Sequence, residues 1–291
     1  MLFLYACLWQ LAPAKFCQET PATPILSELF PVTEQRSRTS QWLAWMNDYV
    51  DAARRFTSED PIDVTSDEER ELIALKMALY ARGLTLFESA LLLLENDRQL
   101  DFRIYSRGVL EATMYLIALD RNPAFVSKMK DDDFKSRHSR AALHLDAKTF
   151  SGADDVKQQL QEFVDQGFRG AKAIRLDTLL EGSDFDRLYR SYRDISGDAA
   201  HVSITALNRH YIEHPETGLA TLILHPALDD DDFHHTMTEL GISMTVATLL
   251  IMKIKAKTDV WDEFQTLLRR YRALASEWYR DDQQLQQEDN V

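Results

Sequence analysis

The chain has 291 residues, and 45% of them are hydrophobic, which is enough to bury a large core and excludes a wholly disordered protein. Its formal net charge of −14 argues against a protein that coats DNA or anionic membranes, because phosphate binding needs clustered Lys and Arg. With 9 Gly and 8 Pro, the chain lacks the turn signals that many short strands require. The composition therefore predicts an all-α fold, a multi-helix bundle with at most one small β-hairpin near residues 209–226.

The first twenty residues carry an apolar run and both cysteines of the chain, Cys7 and Cys17. Cysteines in these positions form neither a disulfide framework nor a zinc knuckle, which favours the reducing cytoplasm as the location. The run ends in Ala-Pro-Ala at 12–14, which resembles a signal-peptidase site, but no Lys or Arg precedes it. We expect residues 1–33 to form an N-terminal segment and loop, of which the first twenty stay attached and lie against the helical body.

A single helical domain is predicted for residues 34–280, and three amphipathic segments open it. The first begins near Ser40 and has apolar side chains at three- and four-residue spacing. The second begins in TSDEER, where overlapping capping boxes start at Thr65 and Ser66. The third runs from about 101 to 120 and ends before Asn122-Pro123.

The middle of the chain, at about 123–170, is predicted to be an exposed arm because its charges lie on nearly every side. After it, Ser183 is expected to cap a helix that leads into YRSYRDISGDAAHVSITALNRH, residues 189–210. The turn HPETG at 214–218 predicts the hairpin. Two apolar-striped segments, around 237–250 and 261–278, complete the bundle. The first is expected to be core, because its longest apolar stretch is too short and too mixed for a membrane span. Residues 281–291 are predicted to be an acidic tail.

One charge pair stands out on an otherwise apolar helix. Arg107 and Glu111 are the only charged residues between Ile104 and Leu119, and they lie one helical turn apart. Because isolated charges are not left inside a core, we expect the two to be buried and paired, either as a structural bridge or as the floor of a site. Arg103, one turn earlier, is predicted to extend this stripe towards solvent.

A second polar group lies in residues 189–210. If the helix continues through Gly197, then Arg190, Asp194 and His201 share one face. A carboxylate one or two turns from a histidine can orient its imidazole for acid–base chemistry. The alternative is a solvated helix face that carries an Asp–His pair.

Together, SRGVLEATMYLIALD and YRSYRDISGDAAHVSITALNRH resemble the bacterial family called domain of unknown function 5677, over roughly residues 74–250. The matching positions are Arg107 and Glu111, followed by Tyr192, Ser196 and His201. The resemblance implies packed helices and supplies no activity.

A more distant similarity is to the HEPN helical domains of toxin and defence systems, many of which are metal-independent ribonucleases. This similarity implies that Arg193 or Arg190 binds phosphate and that His201 is a general acid or base acting on a ribose 2′-hydroxyl. Seven residues separate Arg193 from His201, more than the HEPN pattern usually has.

Metal chemistry has less support from the sequence, and no cofactor is expected. Asp198 and His201 have the spacing of half a di-iron site, but the second half is missing from the pattern. A cluster of His225, His234, His235 and Glu239 with the run of aspartates at 229–232 would be a metal site, although helix capping explains the aspartates more simply.

Two functions of different class follow. The first is a HEPN-like ribonuclease of a toxin or phage-defence module, a homodimer that acts on RNA, with Arg193 and His201 as catalytic residues. Its supporting polar cluster is predicted to contain six residues: Arg103, Arg107, Glu111, Tyr192, Asp194 and Ser196. The second is a non-enzymatic interaction or sensor module that binds a partner protein and in which the same residues are structural. Stable membrane insertion is expected of neither.

Overall fold

A computed structural model describes residues 32–58, 66–147, 152–168, 170–199, 202–255 and 260–288. It is 76% helical and has one small two-stranded sheet, so the predicted all-α bundle is confirmed. The α-helices are α1 (Val32–Ser58), α2 (Asp67–Glu95), α3 (Gln99–Arg121), α4 (Phe125–Asp146), α5 (Asp154–Asp165), α6 (Arg187–Ala199), α7 (Ile204–Asn208), α8 (Asp230–Lys255) and α9 (Trp261–Glu288). The strands are β1 (Tyr211–His214) and β2 (Leu219–Leu222).

Helix α3 is the centre of the bundle and packs against α2, α8 and α6. Its interior side is apolar along most of its length, with Val109, Leu110 and Met114 fully buried. Helices α1 and α9 pack on each other. In addition, α1 contacts α2, and α9 contacts α8. Two buried hydrogen bonds connect α1 to these helices. Trp45 Nε1 donates to the backbone carbonyl of Leu267 on α9 (2.9 Å), and the Tyr49 hydroxyl donates to the backbone carbonyl of Met244 on α8 (2.7 Å).

Two predicted helix ends agree with the structure, whereas the predicted start of the first helix near Ser40 is wrong, because α1 begins at Val32. Ser66 caps α2 by accepting a hydrogen bond from the backbone N–H of Glu69 (3.1 Å), whereas Thr65 lies outside the described residues. Helix α3 ends before Asn122, as predicted. The predicted start at Ser183 is wrong, because α6 begins at Arg187. The hydroxyl of Ser183 instead accepts from the N–H of Phe185 (3.2 Å) and stabilises the preceding turn.

The predicted hairpin forms within residues 209–226. Strands β1 and β2 pair antiparallel, with Tyr211 opposite Leu222 and His214 opposite Leu219. Gly218 closes the turn with φ of 65°, a left-handed conformation that favours glycine.

Helices α4 and α5 pack on each other as a helical hairpin in the region predicted to be an arm. Their contact is made by His138, whose Nε2 lies 2.8 Å from the carbonyl of Val164 and whose ring packs on Phe168. No residue of α5 is buried. Helix α9 runs to Glu288 and includes most of the segment predicted to be an acidic tail.

Two helices, α2 and α8, are long and apolar enough to cross a membrane by length and composition. By length and composition, α8 meets the requirement for a membrane span over Asp230–Ile254, contrary to the expectation that its apolar stretch is too short and too mixed. The predicted core role of α8 is confirmed, since Met237, Leu240 and Met244 are fully buried in the bundle.

Candidate functional site between α3 and α6

Arg107 connects α3 to α6 through two hydroxyl groups. Its Nε donates a hydrogen bond to Ser196 Oγ (2.8 Å), and its Nη2 donates to the hydroxyl of Tyr192. The guanidinium carbon also lies 4.7 Å from the centre of the Tyr192 ring, within the range of a cation–π contact. Tyr192 and Ser196 are both buried and lie one turn apart on α6. We call these three residues together with Glu111 the α3–α6 clamp.

The pairing of Arg107 with Glu111 is confirmed, but their predicted burial is wrong. Arg107 Nη1 lies 3.7 Å from Glu111 Oε2, and the two side chains are 27% and 38% exposed. The pair lies at the edge of the helix interface, where water still reaches the carboxylate. The best hydrogen bonds of the guanidinium are those to α6, so Glu111 is the weaker partner.

Arg103 is the buried arginine of α3, contrary to the prediction that it points towards solvent. Its side chain is 3% exposed, and its Nη1 lies 2.7 Å from Asp232 Oδ1. Arg209 Nη2 pairs with the other oxygen of the same carboxylate. Burial alone would raise the pKa of Asp232, but hydrogen bonds from the two arginines outweigh it and hold that pKa below the usual value. This pair of contacts joins α3, α8 and the segment after α7.

Aromatic side chains extend the clamp along α6 and α3. The rings of Tyr189 and Tyr192 stack with their centres 6.3 Å apart. Tyr115, one turn beyond Glu111 on α3, is half-buried. Burial, with smaller contributions from the charges of Asp132 and Glu111, raises the pKa of Tyr115 to about 12. The tyrosine is therefore protonated at neutral pH and can donate a hydrogen bond but cannot act as a base.

Helix α6 continues through Gly197, as the predicted shared face requires. It exposes Arg187, Arg190 and Arg193, which we call the arginine face of α6, and Arg187 Nη2 lies 3.9 Å from Glu239 Oε1. Asp194 is also exposed, so the predicted supporting cluster does not converge at this residue. Within the part of the chain that the structure describes, Arg190, Arg193 and Asp194 make no ion pair or side-chain hydrogen bond.

His201, the predicted acid or base, lies outside the described residues, as does the side chain of Asp198. Ser203, two residues after His201, is held in place by hydrogen bonds. Ser203 caps α7 by accepting from the N–H of Ala206 (3.0 Å), and its hydroxyl donates to the carbonyl of Gly197 (2.9 Å). This bond holds the start of α7 against the end of α6.

The alternative metal cluster does not assemble. His225 Nε2 lies 3.2 Å from Arg98 Nη1, while the ring of His234 packs edge-on against Trp42. Among the described residues, no group of three or more His, Cys, Asp or Glu side chains is placed to hold a metal ion.

Arg107, Glu111, Tyr192 and Ser196, which the sequence singles out, come together in the structure, but the residues around them do not follow from the sequence. The roles of Asp232 and Arg209 could not be predicted. Asp232 is one of four consecutive aspartates, and the residues next to Arg209 in the sequence do not indicate that it is buried. Tyr189 was missed as well, although its three-residue spacing from Tyr192 was a usable sign of ring contact.

The chain matches the sequence profile of the family of unknown function DUF5677 over residues 74–219. This range runs from α2 to the start of β2 and contains all four clamp residues. No curated protein shows significant similarity to the chain, and neither does any solved structure. The match spans half of the sequence, and the chain therefore belongs to the DUF5677 family.

Proposed function

We propose that this protein is a metal-independent ribonuclease that uses the arginine face of α6. The observation that carries the proposal is that Arg190 and Arg193 are exposed and make no ion pair with other described residues, in a chain whose net charge is −14. A local group of arginines in an acidic protein supplies the phosphate-binding charge that RNA requires. The distant similarity to HEPN domains points to the same helix.

In the proposed reaction, His201 takes the proton of a ribose 2′-hydroxyl. The 2′-oxygen then attacks the adjacent phosphorus, and the bond from phosphorus to the 5′-oxygen of the next nucleotide breaks. Water protonates the leaving oxygen, so that the products are a 2′,3′-cyclic phosphate and a 5′-hydroxyl. Arg193 stabilises the additional negative charge on the phosphate oxygens as the new bond forms.

The α3–α6 clamp has a positioning role in this proposal. Arg107 bonds to Tyr192, the residue before Arg193, and to Ser196, three residues after it, and so fixes the rotation of α6 about its axis. A fixed helix holds the exposed arginines in one direction, which lowers the entropic cost of binding a phosphate.

The proposal is tested by incubating the purified protein with a labelled single-stranded RNA in excess EDTA. We expect cleavage by the wild type and loss of at least about a hundredfold in rate for His201→Ala, as for other acid–base groups. Arg193→Ala is expected to lose activity too, while Arg82→Ala, an exposed arginine on α2, retains it. Melting temperatures of all variants should match the wild type. If His201→Ala melts far below wild type and no RNA is cleaved, the residue is structural and the proposal fails.

A second candidate, an interaction module, is favoured by the surface of residues 202–224, which we call the hairpin region. Large apolar side chains are exposed on α7 and on both strands, including Ile204 (74%) and Leu222 (70%). A two-stranded hairpin with both faces in water is marginally stable by itself, and contiguous exposed apolar area is typical of interaction sites.

A homodimer through the hairpin region is compatible with either function. Sedimentation velocity on the full chain should give a dimer for wild type and a monomer for Leu222→Lys. Leu143→Lys, on an equally exposed leucine of α4, is the matched control and should remain dimeric. A wild-type monomer at every concentration would contradict the dimer.

We also propose a cytoplasmic location without membrane insertion, since α8 makes its contacts inside the bundle.

A further inference from the structure

A second concave surface lies between the end of α3, the start of α4 and the loop at 170–181. It is a half-open groove of about 750 Å³, a volume within the range of ligand pockets. The loop is held against α4 by a hydrogen bond from the backbone N–H of Ile174 to Asp132 Oδ1 (2.8 Å). The groove is therefore built by tertiary contacts.

Positive side chains dominate its charged lining. Arg121, Lys128 and Lys172 are exposed, and none of them makes an ion pair with another described residue. Arg175 also lines the groove and pairs with Asp177 (2.5 Å). The two remaining charged residues of the lining are acidic, Asp131 and Glu181. Three cations that make no ion pair with described residues, in a chain of net charge −14, are typical of a site for a negatively charged ligand.

Apolar groups form the other half of the lining. Ala118, Phe125 and Leu179 provide a wall against which a flat organic group can pack. Asn122, Asp131 and Glu181 offer hydrogen-bond acceptors at the same surface. The mixture of cations, apolar wall and acceptors suits a ligand with a phosphate at one end and a polar ring at the other better than it suits an inorganic anion.

We propose that this groove binds a nucleotide. The phosphate groups lie among Arg121, Lys128 and Lys172, and the base packs on the apolar wall, with its amino groups or the ribose hydroxyls donating to Asp131 or Glu181. This inference does not depend on the ribonuclease proposal, because the lining of the groove contains no group assigned to catalysis.

Isothermal titration of the full chain with ATP, AMP, adenosine and inorganic triphosphate tests the inference. We expect both nucleotides to bind and the two fragments to bind at least about tenfold more weakly, since each lacks one half of the contacts. Lys128→Glu and Lys172→Glu should each lower the affinity for ATP by about tenfold or more. Lys157→Glu, an exposed lysine of α5 outside the groove, is the matched control and should bind as wild type does.

Three results would overturn the inference. They are equal binding of triphosphate and ATP, equal loss of affinity in Lys157→Glu and Lys128→Glu, and no detectable binding of either nucleotide. Activity on RNA is measured separately, and a wild-type protein that binds ATP without cleaving RNA would contradict the ribonuclease proposal and leave the groove assignment standing.

Discussion

Arg103 Nη1 lies 2.7 Å from Asp232 Oδ1, and this contact joins the most buried charge of α3 to the first turn of α8. The same carboxylate accepts a hydrogen bond from Arg209, so one aspartate pairs with two arginines from different parts of the chain. A buried guanidinium that loses its carboxylate keeps the cost of its desolvation without the compensating attraction.

Asp232→Asn should therefore lower the free energy of unfolding by about 3 kcal/mol, because it removes the carboxylate charge that Arg209 and the buried Arg103 share. Asp231→Asn, an exposed neighbour in the same helical turn, should change it by less than about 0.5 kcal/mol. Urea titrations of the two variants and wild type measure both values. Equal stabilities of the two variants would show that the buried contact contributes little.

Substitutions in the α3–α6 clamp should have smaller effects on the free energy of unfolding, and the contacts of each residue predict their order. Arg107→Ala removes two charged hydrogen bonds and a cation–π contact and should cost about 2 kcal/mol, whereas Tyr192→Phe removes one of these bonds and should cost about 1.5 kcal/mol. Glu111→Gln should cost less than about 1 kcal/mol, since its contact is long and partly solvated. Thermal unfolding in which Glu111→Gln is the most damaging of the three would contradict this ranking.

Two helical glycines differ in the space around them. A Cβ at position 241 would lie 2.6 Å from Cε2 of Tyr271, whereas one at position 83 would have only ordinary contacts, the nearest at 3.7 Å. Gly241→Ala should thus destabilise the protein by about 2 kcal/mol through overpacking. Gly83→Ala should stabilise it by up to about 1 kcal/mol through helix propensity. Melting temperatures that shift in the same direction for both variants would contradict the packing between α8 and α9.

His234 should make stability depend on pH. Burial lowers its pKa to about 4, and the neighbouring charges of Arg38 and His235 act in the same direction. An unfolded histidine titrates near 6.5, so between pH 6.5 and 4 the unfolded chain binds a proton that the folded chain does not. Stability should therefore fall as the pH falls through this window, by up to about 1.4 kcal/mol per pH unit.

Urea titrations at pH 7, 6 and 5 measure this slope, and His234→Gln should flatten it. His144→Gln, an exposed histidine of α4, is the control and should leave the slope unchanged. If the two variants retain the wild-type slope, other groups cause the dependence.

The helical bundle and the contact between α3 and α6 could be predicted because their signals are local. A charge on an apolar helix needs polar partners, and hydroxyl groups at four-residue spacing on α6 supplied them. The partner of Arg103 could not be predicted in the same way. Arg103 and Asp232 are 129 residues apart, and only the packing of α3 on α8 selects Asp232 from four consecutive aspartates.

The groove beside α4 shows a second limit of sequence patterns. Lys172 and Arg175 lie in a loop without hydrophobic periodicity, so no pattern relates them to Arg121 and Lys128. The burial of Glu111 was overestimated for a related reason. Apolar residues around a helix indicate that it is central, but they do not show where along the helix the interface ends.

The ribonuclease proposal is tested most directly by comparing two labelled oligonucleotides in EDTA, one all-ribose and one with 2′-deoxyribose at every position. The proposed mechanism predicts cleavage of the ribose strand alone, with 2′,3′-cyclic phosphate ends, and loss of that cleavage in His201→Ala at an unchanged melting temperature. Cleavage of both strands, or none of the ribose strand by a folded wild-type protein, would contradict it.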